Sequence, residues 1–104
     1  MTHARTTDLD TLVGSAQDRL DALRETHERL DRIRIRLTSP DNLVTVVADG
    51  SGALVELELA ENLGSVAAHA LASTITAAAA EAAAAALEQR ETILQSLRGS
   101  FTDS

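Results

Sequence analysis

At Ile33 the spacing of apolar residues changes. From Leu9 through Val13, Ala16, Leu20, Leu23 and Leu30, with His27 completing the series, the steps alternate between four and three. From Ile33 onward they fall to two: Ile33, Ile35 and Leu37 alternate with Arg34, Arg36 and Thr38. The first spacing keeps one stripe on a helix, and the second keeps one face of a strand. A helix over 8–31 must therefore end where a strand over 32–38 begins. Thr7 and Asp10 stand at capping-box spacing at the start of that helix. Asp18, Asp21, Arg24, Glu25 and Arg29 fall off the stripe, where they can pair along the helix surface.

Two more strands follow. Ser39-Pro40-Asp41 is a turn signal. The strand over 43–48 is apolar on both faces, with Val44, Val46 and Ala48 on one and Leu43, Thr45 and Val47 on the other. That pattern suits the centre of a sheet. Asp49-Gly50-Ser51-Gly52 then turns the chain into a strand over 53–59, where Val55, Leu57 and Leu59 oppose Glu56 and Glu58. The result is a three-stranded antiparallel meander.

A second helix opens near Gly64-Ser65, with Ser65 as N-cap, and runs through the Ala tract to a stop at Arg98-Gly99. The fold class is α+β in the order α-β-β-β-α. It forms a single domain over 1–104, with 1–6 and 100–104 expected as disordered tails. A strand of seven residues spans about 23 Å, whereas a helix of 33 residues spans about 50 Å. The last helix must overhang its sheet, and its apolar positions then need the first helix or another subunit. The Ala tract fits either close helix approach or simple helix propensity.

Composition points toward a second copy. The 104 residues include no Trp, Tyr or Lys, and one Phe, Phe101. A core of Leu, Ile, Val and Ala buries little area per residue, and a chain this short has little core to spare. A stable homodimer is expected. With no Cys, disulfides and thiolate metal sites are excluded. "MTHARTTDLD" has no signal-peptide core, and the run Ala77–Leu87 is shorter than the ~20 residues of a span. The chain is therefore expected in the cytoplasm with no membrane partner.

No catalytic constellation is present, and neither an enzyme nor a cofactor is expected. Gly50 and Gly52 lack the following helix N-terminus of a phosphate loop. His27 lies on the first helix's stripe and is read as a packed seam residue. The net charge is −7, and it is uneven: residues 41–104 hold two Arg against nine acids. Positive charge is concentrated in "RLDRIRIR", where Arg29, Arg32, Arg34 and Arg36 outnumber Asp31. These four are the candidate contacts to duplex DNA, whose phosphates would be met there or nowhere. The competing reading pairs Arg34 and Arg36 with Glu56 and Glu58 across the middle strand.

"SPDNLVTVVADGSGALVELEL" and the following "LASTITAAAAEA" resemble the YbaB/EbfC family of bacterial nucleoid-associated proteins, in a divergent form of actinobacterial type. The resemblance implies a tweezer-like homodimer that binds duplex DNA with little sequence preference, in the nucleoid. The dimer and core would be built on Val44, Val46, Val55, Leu57 and Leu59. The family likeness extends to proteins encoded beside type VII secretion systems. That implies an alternative: an acidic module binding another protein, as a scaffold or secretion-associated chaperone on the same fold.

Overall fold

The computed structural model describes residues 2–102, with side chains from Asp8 to Phe101. Its elements are α1 (Thr2–Asp31), β1 (Arg34–Thr38), β2 (Val44–Asp49), β3 (Leu54–Leu59) and α2 (Ala68–Thr102). The order α-β-β-β-α is the one expected. The strands form an antiparallel sheet in the order β1-β2-β3.

Boundaries differ at several points. α1 begins at Thr2 rather than at residue 8, so the Thr7 and Asp10 pair lies inside the helix instead of capping it. β2 is shifted by one residue, and β3 starts one residue later. β1 begins at Arg34, because Arg32 and Ile33 still donate to carbonyls of α1's last turn, at Glu28, Arg29 and Leu30. α2 begins at Ala68 rather than near Ser65, after a turn closed by the Val66 N–H on the Leu63 carbonyl. It also continues through Gly99 to Thr102. A glycine permits a helix to stop but does not compel it. Of the expected tails, residues 2–6 are helical in α1 and 100–102 in α2, while residues 1, 103 and 104 lie outside the described residues.

The sheet has two unlike faces. Register places Leu37 opposite Val46 and Val46 opposite Leu57, with Val44 opposite Leu59. α2 packs across β2 and β1 on this apolar face. Its row Ala78, Ala82 and Ala86 is buried there with Val44, Val46 and Ala48. Spaced four apart, these alanines form one ridge, and their lack of bulk lets helix and sheet approach closely. By length and composition alone, Ala68–Phe101 is apolar enough to cross a membrane. The run Ala77–Leu87 understates this, because it is only the middle of a longer apolar helix. The packing of α2 on the sheet accounts for its most buried apolar residues.

Both turns rest on a carboxylate. Ser39 Oγ donates to Asp41 and accepts from the Val44 N–H at 3.1 Å, which leaves Asn42 at φ 62°. Asp49 Oδ1 accepts from Ser51 N at 2.9 Å, Ser51 Oγ at 2.6 Å and Ala53 N at 3.1 Å. Gly52 supplies the positive φ of 84° that this turn requires. A bulge between Val47 and Ala48 pairs Ala48 with Leu54 instead of Val55.

Beyond the sheet, α2 runs beside α1. Ser96, Leu97 and Ser100 face Ala22, Glu25, Thr26 and Arg29 across a shallow hollow. Helices of 30 and 35 residues measure about 45 and 52 Å. Their short overlap gives a body 83 × 19 × 15 Å across. Its radius of gyration is 22.2 Å, against about 13 Å for a compact chain of this length.

Candidate nucleic-acid interface

The sequence singled out four arginines as one basic cluster. The structure separates them into three environments. Arg36 lies on the sheet face opposite α2, because β1 alternates and its Ile35 and Leu37 point toward the helix. Register sets Arg36 opposite Val47 and Val47 opposite Glu56. The guanidinium crosses Val47 to reach Glu58 Oε2 at 2.9 Å and Glu56 Oε2 at 3.5 Å. Val47 is buried beneath this bridge, and beside it the Thr38 and Thr45 hydroxyls meet at 2.9 Å. Of the two arginines expected to pair across the strands, Arg36 does so.

Arg34 turns back toward α1. Its Nη1 donates to the Ile33 carbonyl at 2.7 Å and the Asp31 carbonyl at 3.3 Å. Carbonyls at a helix C-terminus carry partial negative charge, so a cation there is favourable. Register also sets Arg34 opposite Asp49. Asp49 is held below the usual carboxylate range, first by the Ser51 hydroxyl, then by backbone N–H groups, with a further contribution from the Arg34 charge. Asp41 is lowered in the same direction by the Ser39 hydroxyl and the Leu43 N–H.

Arg29 and Arg32 are different. Both are exposed, and among the described residues neither guanidinium has a carboxylate or hydrogen-bond partner. They line an open hollow with Ile33 of the α1–β1 junction and Gln89, Thr92 and Ile93 of α2. On a neighbouring surface, Arg34 and Arg90 share a second hollow with Asp31, Asp49, Gly50 and Ser51. α2 thus brings Gln89, Arg90 and Thr92 to the end of α1, a convergence that the sequence does not reveal. Arg90 is one of two cations in an acidic half. Only the meeting of Ile93 with the α1 end makes it a neighbour.

The remaining residues of interest lie elsewhere. Val44 and Val46 are buried under α2. Val55, Leu57 and Leu59 are 50%, 42% and 44% exposed in the single chain. His27 is not packed: its side chain is 76% exposed and Nε2 lies 3.3 Å from Asp31. The reason is helical phase. α1 turns its Ala22–Thr26 side toward α2, with Thr26 buried, a row about 100° around the helix from the Leu23–His27 stripe. Among the described residues no group of three or more His, Asp or Glu converges as a metal site would require.

The fold is similar to that of the uncharacterized protein HP0035 from Helicobacter pylori, with a TM-score of 0.65 at 20% identity, covering 83% of this chain and 91% of that one. At that identity the likeness is one of fold. No curated protein matches the sequence significantly. The model of the YbaB/EbfC DNA-binding family matches residues 6–101. The chain belongs to the YbaB/EbfC DNA-binding family.

Proposed function

We propose that the protein is a non-enzymatic, homodimeric nucleoid-associated protein of the cytoplasm that holds duplex DNA through its phosphate backbone. The observation that carries this reading is the uncommitted state of Arg29 and Arg32. In a chain of net charge −7, the nearby Arg36 is neutralised by Glu56 and Glu58. Arg29 and Arg32 are exposed beside the amide and hydroxyl of Gln89 and Thr92. Cations and small polar groups of this kind suit phosphate oxygens and carry no base-specific information. Arg34 and Arg90 extend the same end of the molecule.

β3 supports the dimer. It is an edge strand whose apolar side is left exposed by α2, with Leu57 and Leu59 open. A second copy of β3 would both pair the edge and cover that face, as an apolar edge strand requires. Two-fold symmetry would double the arginine sites. The acidic protein-binding alternative draws on the same exposed apolar surface, and it takes over if no DNA is bound.

A gel shift of duplex DNA at low salt tests the reading. Replacing Arg29 and Arg32 with Gln should weaken binding to all sequences alike. It should also reduce the salt slope of log K by about 0.9 for each phosphate that is no longer neutralised. Failure of the wild-type protein to shift DNA overturns the DNA reading.

A further inference from the structure

We propose that the exposed stripe of α1 is a second self-association surface, which pairs antiparallel with the same stripe of another copy as a two-stranded coiled coil. This surface is separate from β3. It consists of Leu9, Val13, Ala16, Leu20, Leu23, His27 and Leu30, at unbroken steps of four and three. That spacing averages 3.5 residues per turn, the repeat that keeps a seam facing one neighbouring helix along its length. Kept without a break over three heptads, these positions form the narrow stripe of such a seam.

Within the chain only Leu30, at the end of the seam, is covered, half-buried against the core. Leu9, Val13, Leu20 and Leu23 are 60%, 55%, 46% and 46% exposed. α2 faces the adjacent Ala22–Thr26 row, and its own end comes alongside Ala22. The part of α1 before that point therefore projects as a single helix containing Gly14. A lone helix of about 20 residues is marginal in water, and glycine in its interior weakens it further. Burial of the seam by a second helix supplies what the arm lacks.

The charges beside the seam select the orientation. In a parallel pair, Arg19 of each helix would face Arg24 of the other, which is repulsive in both places. In an antiparallel pair centred near Asp18, Leu9 meets His27 of the second copy, Val13 meets Leu23, and Ala16 meets Leu20. Asp10 then flanks Arg24 of the second copy, and by symmetry Arg24 flanks its Asp10. One Arg19–Arg19 approach near the axis opposes these two attractive pairs. The layer of Ala16 with Leu20 matches a small side chain to a large one, as close packing requires.

The chain lacks cysteine, so introduced thiols report without interference. Ala16→Cys and Leu20→Cys proteins are mixed, equilibrated and oxidised. The expected product is a disulfide dimer joining one of each, formed faster than by an Asp18→Cys control whose residue lies off the seam. A mixture that cross-links no faster than the control overturns the proposal. Preferential linkage of Ala16→Cys chains to one another overturns the antiparallel arrangement. In sedimentation, Leu20→Glu should lower the assembly mass, with a loss of helix content limited to the unpartnered α1 arm, since Leu20 is half exposed in the single chain and outside its core. An unchanged mass overturns the seam and leaves the β3 dimer standing. Leu57→Glu on β3 is the reciprocal variant and should leave the Ala16–Leu20 cross-link intact.

Discussion

Arg36 spans the middle strand of the sheet: its Nη2 lies 2.9 Å from Glu58 Oε2, with Val47 buried beneath. Both partners are more than half exposed, so the attraction is screened, and pairs of this kind contribute roughly 0.2 to 1 kcal/mol. Arg36→Gln should lower the melting temperature slightly and leave DNA binding unchanged. The paired change of Arg29 and Arg32 to Gln should do the opposite. Calorimetry and a gel shift on the same samples check both. A loss of binding in Arg36→Gln equal to that of the pair would place the DNA on the sheet face.

Val46 is fully buried between Leu37 and Leu57 in register, under the alanine ridge of α2. Val46→Asp puts a carboxylate there without a partner, at a cost of several kcal/mol. The expected product is unfolded or aggregated, as read by circular dichroism and light scattering. Ala82→Leu tests the same packing from the helix side, since Ala82 is also fully buried. Overpacking there should cost about 1–3 kcal/mol in denaturant titration.

Gly50 fixes where α1 ends against the hairpin. A Cβ at this position would lie 2.9 Å from the Leu30 carbonyl oxygen and 3.2 Å from Ile33 Cδ1. The carbonyl is backbone and cannot rotate aside, so Gly50→Ala should destabilise by about 1–3 kcal/mol. Gly14→Ala meets nothing within 4 Å and should stabilise by about 0.5–1 kcal/mol through helix propensity. Chemical denaturation of the two variants should therefore give shifts of opposite sign.

The turn carboxylates make the fold sensitive to acid. Asp49 and Asp41 both have lowered values in the folded chain, chiefly through hydroxyl hydrogen bonds from Ser51 and Ser39. A folded value below the unfolded one means the stabilisation is complete above the ordinary carboxylate range. It is lost as pH falls through the lowered value. The melting temperature should therefore drop on acidification below about pH 4. Asp49→Asn should reduce that drop, because asparagine retains an acceptor but has no proton to gain. An acid profile identical to wild type would remove Asp49 from this role.

The order of elements was legible because hydrophobic period is a local property. Ile33, Ile35 and Leu37 announce a strand wherever they are placed, and Asp49-Gly50-Ser51-Gly52 announces a reversal. The apolar character of both faces of β2 likewise foretold its central position. A period shows that a stripe exists without showing what covers it. Only the tertiary structure placed α2 against the Ala22–Thr26 side of α1 and left Leu9, Val13, Leu20, Leu23 and His27 in solvent. Charge behaves in the same way. The sequence set Arg29, Arg32, Arg34 and Arg36 side by side, but strand alternation turned Arg36 onto two glutamates and the end of α1 drew Arg34 to its carbonyls. Which cations remain available depends on neighbours distant in the chain, and those are fixed only when sheet and helices pack together.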